Sequence, residues 1–169
     1  QIKSDVTRLE TISARFSKIG SLPNRNKTKI STVIHDITQY MQIRMPKDIL
    51  LEVVLVGEEK EVSINADLMS WVLENLIKNS IDAIRGKGEI TIELSWDKTA
   101  LISIRDSGGG IPKKLQGKVF EAGVTTKKRG WGLGLALATR IITQYHGGKL
   151  RLISSSTSGT CFEIQLPIA

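Results

Sequence analysis

The residues best suited to chemistry lie in a glycine-rich stretch at positions 106–134. This stretch holds eight of the fifteen glycines in the 169-residue chain. Glycine is concentrated where the backbone takes positive φ or approaches a ligand closely. Its middle is also basic, because Glu121 is the single acid beside six cations: Lys113, Lys114, Lys118, Lys127, Lys128 and Arg129. Glycines combined with cations predict a phosphate-binding site.

A second group of polar residues precedes this stretch on a predicted helix at about 66–85. Asn75, Asn79 and Asp82 are spaced by four and three residues, which places them on one polar stripe. Asparagine is unfavourable inside helices, and an ordinary solvated face would more naturally use Glu, Lys or Gln. An oxygen-rich stripe suits a hard cation such as Mg²⁺, which keeps several waters and takes few protein ligands.

Both ends of the glycine-rich stretch have a predicted role in binding. Asp106 directly follows a predicted strand, so its carboxylate is a fixed acceptor for an exocyclic amine such as that of adenine. At the other end, Gly130, Gly132 and Gly134 lead into an apolar helix at about 135–146, whose free amides favour an anion. Neither the P-loop nor the dinucleotide motif has this spacing.

Hydrophobic periodicity indicates the elements that must position these residues. We expect a first helix at about 31–44 with Ser31 as its cap, while Asn65 or Asp67 caps the helix that bears the asparagines. Strands are predicted at about 49–56, 61–64, 89–96, 100–105, 149–155 and 159–166. The first two, separated by Gly57 and Glu58, are expected to form an antiparallel pair.

Composition gives weaker constraints on function. A net charge of +7 is compatible with a nucleic-acid partner, an anionic small ligand or simple solubility. One cysteine, Cys161, excludes an internal disulfide, fits a reducing compartment and is expected to be a packed side chain. No run is apolar enough to span a membrane, and the chain begins at Gln1, so we expect a soluble piece of a larger protein.

The N-terminal region and the two histidines carry less information. Residues 1–20 have an amphipathic pattern that fits a coiled-coil seam and a helix packed on its own domain equally well. The polar run 24–29 is interpreted as a linker. His35 is expected to be a surface or core residue, and His146 a cation at a helix C-terminus.

Four ordered motifs give the chain a close family resemblance. Residues 75–83 (NLIKNSIDA) resemble the N box, 106–112 (DSGGGIP) the first glycine box, 119–127 (VFEAGVTTK) the F box, and 130–136 (GWGLGLA) the second glycine box. This order is similar to that of the catalytic and ATP-binding domain of sensor histidine kinases, in the Bergerat-fold superfamily with gyrase, MutL and the heat-shock chaperones. The similarity extends from about residue 30 to the end.

The resemblance implies an α+β two-layer sandwich, with a mixed, mainly antiparallel sheet backed by helices. It places ATP and Mg²⁺ between the Asn-bearing helix and a mobile lid at about 111–129. Asn79 corresponds to the Mg²⁺ ligand, Asn75 to a helper near the phosphates and Asp106 to the adenine acceptor. Thr126 and Lys127 correspond to groups at the γ-phosphate. Further cofactor-binding candidates by resemblance are Lys78, Asp82, Arg85, Gly108, Gly110, Ile111, Phe120, Thr125, Gly130, Gly132, Leu133, Gly134 and Thr160.

One departure from the family pattern affects the cation roles. Many members have a basic residue three positions after the second asparagine and an aromatic residue after that, where this chain has Asp82 and Ala83. We therefore expect Lys78, Arg85 or a cation of the lid to offset the negative charge of the phosphates.

The resemblance predicts transfer of the γ-phosphate of ATP to a histidine on a helical dimerisation domain, of which residues 1–23 would be the tail. The superfamily's ATPases place a general-base Glu where this chain has Asn75, which disfavours a hydrolase; a serine kinase of the same fold is the other enzymatic alternative. A basic nucleic-acid-binding module ranks last, because the tryptophans are scattered.

The implied partners are the dimerisation domain in cis and a response regulator receiver domain downstream, without nucleic acid. The implied location is cytoplasmic, within a parent homodimer linked to the inner membrane.

Overall fold

The computed structural model describes residues 23–127 and 132–169. The amphipathic helix predicted for residues 1–20 and the candidate Gly130 lie outside the described residues.

A five-stranded sheet forms one layer of the fold. Its strands are β2 (Ile49–Val56), β4 (Gly88–Trp96), β5 (Thr99–Asp106), β6 (Lys149–Ser156) and β7 (Gly159–Pro167). Their order across the sheet is β2-β4-β5-β7-β6, in which β2 and β4 are parallel and every other neighbouring pair is antiparallel. The mixed, mainly antiparallel sheet of the prediction is confirmed.

The predicted antiparallel pairing of the second and third strands is wrong. β2 pairs in parallel with β4, beginning with Ile49 opposite Gly88. The strand β3 (Val62–Ile64) pairs instead with β1 (Asn26–Thr28), which lies inside the segment interpreted as a linker. The side chains of β1 are polar and do not predict a strand. Backbone pairing with β3 is what holds β1 in the extended conformation.

Helices form the second layer. Two of them, α1 (Ile30–Gln42) and α2 (Ala66–Ala83), pack against each other and against the sheet. The remaining described helices are α3 (Lys113–Gln116) and α4 (Gly134–Arg140), and α4 continues into a π-helical turn at Ile141–Tyr145. The two-layer α+β sandwich is confirmed. None of the helices described combines the length and apolarity needed to cross a lipid bilayer.

Alternation along the strands shows which sheet face is covered. In β4, Ile90, Ile92 and Leu94 are buried, whereas Glu89 and Glu93 on the opposite face are exposed. The buried side chains of α2, among them Met69, Leu73, Leu76 and Ile77, complete the core. The polar stripe of α2 is consequently left at the edge of the core.

The two helix caps show one success and one error. Asn65 caps α2, because its side-chain oxygen accepts a hydrogen bond from the amide of Leu68 at 3.1 Å. Ser31 is not the cap of α1, whose N-cap is Lys29 without a side-chain hydrogen bond. The amide and hydroxyl of Ser31 instead donate to the carboxylate of Glu59 at 2.9 and 2.7 Å.

His146 is buried and neutral rather than a helix cation, which corrects the prediction. Its Nε2 accepts a hydrogen bond from the amide of Asn65 at 3.1 Å, and its Nδ1 donates to the carbonyl of Ile141 at 2.9 Å. Desolvation lowers the pKa of His146, and the charge of Arg25 lowers it further, against the opposing effect of the Ile141 hydrogen bond. The neutral ring therefore joins the start of α2 to the π-helical turn.

Candidate functional site

A cleft of about 1040 Å³ lies between α2 and the loops that follow β5. Asn75, Asn79 and Asp82 line one wall, so the structure brings the predicted polar stripe together on a single surface. The other predicted site residues that line the cleft are Lys78, Arg85, Asp106, Gly108, Gly110, Ile111, Thr125, Thr126, Lys127, Gly132, Leu133, Gly134 and Thr160.

Asp106 lies at the end of β5 and is only 6% exposed. Its Oδ1 accepts a hydrogen bond from the amide of Gly108 at 2.9 Å, which fixes the carboxylate in a turn. Backbone pairing with Ile90 and Thr160 on both sides holds the position of Asp106 in the sheet. The cleft thus has a rigid acceptor at this end.

The glycines after Asp106 allow the loop to lie against α2. A Cβ at Gly108 would lie 2.7 Å from the backbone of Ala83, the last residue of α2. The next amide, that of Gly109, donates to the carbonyl of Ala83 at 3.1 Å. A side chain at position 108 would push the loop away from the helix and change the shape of the cleft.

Gly110 joins the same loop to the end of β6. It has a φ of +81°, and a Cβ there would lie 2.1 Å from the carbonyl oxygen of Ser156. The amide of Ile111 then donates to Ser155 Oγ at 2.8 Å, and that hydroxyl lies 2.8 Å from the hydroxyl of Thr160. This network holds the start of residues 111–127, the described part of the predicted lid, hereafter the lid segment.

The second glycine cluster contacts both α2 and the lid segment. The amide of Gly123 donates to the carbonyl of Gly132 at 2.9 Å. A Cβ at Gly134 would lie 2.6 Å from the side-chain nitrogen of Asn75. That nitrogen is buried and makes no hydrogen bond within the described part of the chain. The start of α4 therefore rests directly on the first asparagine of the stripe.

Lys127 brings the lid segment against the asparagine stripe. Its ammonium nitrogen lies 3.2 Å from Asn79 Oδ1 and also forms an ion pair with Asp82. The amide of Lys127 donates to Thr125 Oγ1 at 3.0 Å. The exposed residues Thr125 and Thr126 line the cleft beside it.

Phe120 is placed differently from the other candidates. Its ring packs edge-on against Phe162, with centroids 6.1 Å apart and planes at 72°. Phe162 lines the cleft, whereas Phe120 lies partly buried behind it against the core. This packing anchors the lid segment to the sheet.

Trp71 and Glu74 are among the cleft residues on α2 that were not predicted from the sequence. Glu74, 4% exposed, lines the cleft and forms an ion pair with Lys78 at 3.1 Å. Trp71 lines the same wall one turn before Asn75. The spacing of four residues from Trp71 to Asn75 and from Glu74 to Lys78 was a usable signal for both.

The cleft offers few protein ligands for a metal. Within residues 23–127 and 132–169, no group of three His, Cys, Asp or Glu side chains could hold a metal ion. Among the oxygens of the cleft wall, those of Asn79 and Asp82 both contact the ammonium of Lys127. Two hard oxygen donors around a cation are compatible with Mg²⁺, which completes its shell with water and phosphate oxygens.

Comparison with known proteins identifies the family of this fold and cleft. Residues 64–169 match the model of the histidine kinase-, DNA gyrase B- and HSP90-like ATPases. The chain belongs to this family. The family is one of ATPases, so the chain is a domain of a kind that binds ATP.

Curated relatives of the chain are histidine kinases. It is 44% identical to the signal transduction histidine-protein kinase AtoS of Escherichia coli over 117 residues, covering 68% of this chain and 19% of AtoS. It is 34% identical to sporulation kinase A of Bacillus subtilis over 172 residues, covering 97% of this chain and 28% of that kinase. The chain thus spans less than a third of the length of these two relatives.

Solved structures agree with this placement. The catalytic domain of the histidine kinase ThkA is 27% identical, with a TM-score of 0.78, covering 86% of this chain and 97% of that domain. ThkA in complex with the response regulator protein TrrA matches 99% of this chain and 49% of ThkA, at 26% identity and a TM-score of 0.78. The ATPase domain described here is homologous to those of sensor histidine kinases.

Proposed function

We propose that this domain is the catalytic part of a two-component sensor histidine kinase. It would transfer the γ-phosphate of Mg-ATP to a histidine on a helical dimerisation domain. The observation that carries this proposal is the arrangement of the cleft, with Asp106 buried at one end and Asn79, Asp82 and Lys127 at the other. A nucleoside triphosphate would lie with its base at the first end and its phosphates at the second.

At the base end, Asp106 would accept a hydrogen bond from the exocyclic amine of adenine. Its Oδ1 is already oriented by the Gly108 amide, so the carboxylate needs no rearrangement on binding. Gly108 and Gly110 would form the turn under the base, with Ile111 and Thr160 beside it.

At the phosphate end, the amides of Gly132, Leu133 and Gly134 would cradle the phosphates, together with Gly130 from outside the described residues. Asn75 supports this, because its amide nitrogen has no hydrogen-bond partner among the described residues and lies against Gly134, where a phosphate oxygen could accept from it. Lys78 and Arg85 line the same cleft and would offset phosphate charge.

Near the reacting phosphoryl group, Thr125, Thr126 and Lys127 would position the γ-phosphate, and Phe120 would anchor their segment. Asn79 would provide the Mg²⁺ ligand. A bound Mg²⁺ would neutralise charge that develops on the phosphate oxygens. Most of the catalysis would come from holding the γ-phosphate in line with the acceptor nitrogen, since phosphoryl transfer requires little covalent chemistry from the protein.

A hydrolase or serine kinase of the same fold is the main alternative. Asn75 occupies the general-base position of the family's ATPases, and an amide cannot take a proton from water. The neighbouring carboxylate, Glu74, is ion-paired with Lys78 at 3.1 Å. Both observations disfavour the hydrolase. A nucleic-acid-binding module is the least favoured interpretation, because Trp71 and Phe162 are the aromatic side chains that line the cleft among the described residues, too few for a row of stacked bases.

The rest of the protein is also a matter of proposal. We expect residues 1–23 to be the tail of the dimerisation domain. The backbone of Asn24 accepts a hydrogen bond from Asn65, and Asn26–Thr28 pairs with β3, so we place the start of the catalytic domain near Asn24 rather than residue 30.

By analogy with the ThkA complex, we propose a response regulator receiver domain as the downstream partner. A cytoplasmic position in a membrane-linked homodimer would suit this role.

The test is transfer of radiolabel from [γ-³²P]ATP to the histidine-bearing helical domain of the parent protein, supplied in trans. We expect acid-labile, alkali-stable label on that domain, and loss of label with Asn79→Ala. Release of inorganic phosphate without labelling of the helical domain would favour the hydrolase, and alkali-labile label would favour the serine kinase.

A further inference from the structure

The ion pair between Lys127 and Asp82 occupies the position expected for a metal. Asn79 and Asp82 lie three residues apart on α2, and their side-chain oxygens both bind the same ammonium group. The side chains of Lys127 and Asp82 are 43% and 52% exposed, so the arrangement is open to exchange with solvent. The ammonium of Lys127 thus lies between the side-chain oxygens of Asn79 and Asp82.

Mg²⁺ and the ammonium of Lys127 compete for these oxygens. Mg²⁺ binds oxygen at about 2.1 Å. The positive charge of the Lys127 ammonium, only a few ångströms away, would be strongly repelled by the ion. Asp82 therefore has two alternative partners, and Lys127 must leave before a divalent ion can use both oxygens.

We propose that Asp82 is the second oxygen of the cation site and that Lys127 is a tethered surrogate cation, which fills the site until Mg²⁺ arrives. The displaced Lys127 then becomes available to the phosphates. This inference rests on the proposed function for the identity of the cation, and it adds that metal binding and the position of the lid segment are coupled.

The proposal predicts that loss of the Lys127 ammonium changes the affinities for two ligands in opposite directions. Removing the ammonium at position 127 should weaken binding of a nucleotide phosphate but strengthen binding of a divalent ion. A simple phosphate-binding lysine would change only the first affinity, and a surface ion pair would change neither.

The experiment measures Mn²⁺ binding to the nucleotide-free 169-residue chain by electron paramagnetic resonance of the free ion. We expect Lys127→Met to raise the Mn²⁺ affinity about 5- to 10-fold over the parent chain. Adding Asp82→Asn to Lys127→Met should remove this gain. Lys118→Met is the matched control, because it deletes the same charge from an exposed residue of the lid segment.

An Mn²⁺ affinity for Lys127→Met no higher than for Lys118→Met overturns the proposal, and this includes no detectable binding by either. Retention of the gain in the double variant excludes Asp82 as a ligand and also overturns it. Failure of the proposed function is separate, because it would appear as absent ATP binding or absent phosphotransfer whatever the Mn²⁺ result.

Discussion

The side-chain nitrogen of Asn75 lies 2.6 Å from the position that a Cβ would take at Gly134. The start of α4 and the polar stripe of α2 are therefore in direct contact, with no room for a side chain between them. This contact limits the width of the cleft at the end that we propose binds the phosphates.

Gly134→Ala should disturb this contact. The added methyl group would push α4 from Asn75, and overpacking of this kind typically costs about 1–3 kcal/mol. We expect ATP affinity to fall by about 10-fold or more, measured by titration calorimetry. Gly117→Ala is the control, because a methyl group added there would have no atom within 4 Å. Equal ATP affinity for the two variants would contradict this interpretation of the phosphate end.

Asp106→Asn should remove the preference for adenine while preserving the turn. The amide oxygen of asparagine can still accept from Gly108, but its NH₂ would face the exocyclic amine of the base. We expect ATP affinity to fall about 10- to 100-fold. The ratio of ATP to GTP affinity should approach one, as measured with fluorescent nucleotides. Asp97→Asn, at an exposed site between β4 and β5, should change neither quantity.

Gly159→Ala tests the packing behind Asp106. Gly159 has a φ of +139°, and a Cβ there would lie 1.9 Å from the backbone oxygen of Asp106. We expect the free energy of unfolding to fall by more than about 2 kcal/mol in urea denaturation. Gly117→Ala again serves as the control. A Gly159→Ala chain as stable as this control would show that the strand ends can separate without cost.

The stability of the domain should depend on pH through His146. Burial lowers its folded-state pKa below the ordinary 6.5, so the unfolded chain binds the proton more tightly. The contribution of neutral His146 to the free energy of unfolding is fully present above pH 6.5, the ordinary pKa. It is lost as the pH falls from 6.5 toward the lowered pKa of the folded state. His146→Gln should reduce stability at pH 7.5 by about 1–3 kcal/mol and reduce the further loss on acidification.

The measurement is urea denaturation of both chains at about pH 7.5 and about pH 5.5, on either side of the ordinary histidine pKa. His35→Gln, at an exposed position of α1, is the control and should keep the parent's pH dependence. An unchanged pH dependence in His146→Gln would mean that another group is responsible.

The chain alone should not label itself on histidine with Mg-ATP. His35 is exposed on α1 and is absent from the described residues that line the cleft, and both ring nitrogens of His146 are hydrogen-bonded. In-line transfer requires an acceptor nitrogen positioned at the γ-phosphate. Acid-labile ³²P on the isolated chain that disappears in His35→Gln would contradict this expectation.

Local periodicity was sufficient to predict much of the fold. The apolar face of α2, the ends of β4 and β5, and the glycine loops follow from short-range patterns that backbone geometry imposes directly. The stripe of Asn75, Asn79 and Asp82 followed from the same helical spacing.

Contacts between distant residues could not be predicted in this way. The parallel partner of β2, the pairing of β1 and the carboxylate that binds Ser31 all depend on tertiary packing. Lys127 and Asp82 are 45 residues apart in the chain, and no sequence pattern joins them. The neutral state of His146 could not be predicted either, because it depends on burial and on hydrogen bonds with Asn65 and Ile141.

The central claim is that the cleft binds adenine at Asp106 and Mg²⁺-bound phosphates at Asn79. The most direct test is calorimetric titration of the chain with ATP and with GTP, each with and without Mg²⁺. We predict Mg²⁺-dependent ATP binding and GTP binding at least about 10-fold weaker, because the guanine carbonyl would face the acceptor Asp106. Equal ATP and GTP affinities that do not respond to Mg²⁺ would contradict this account.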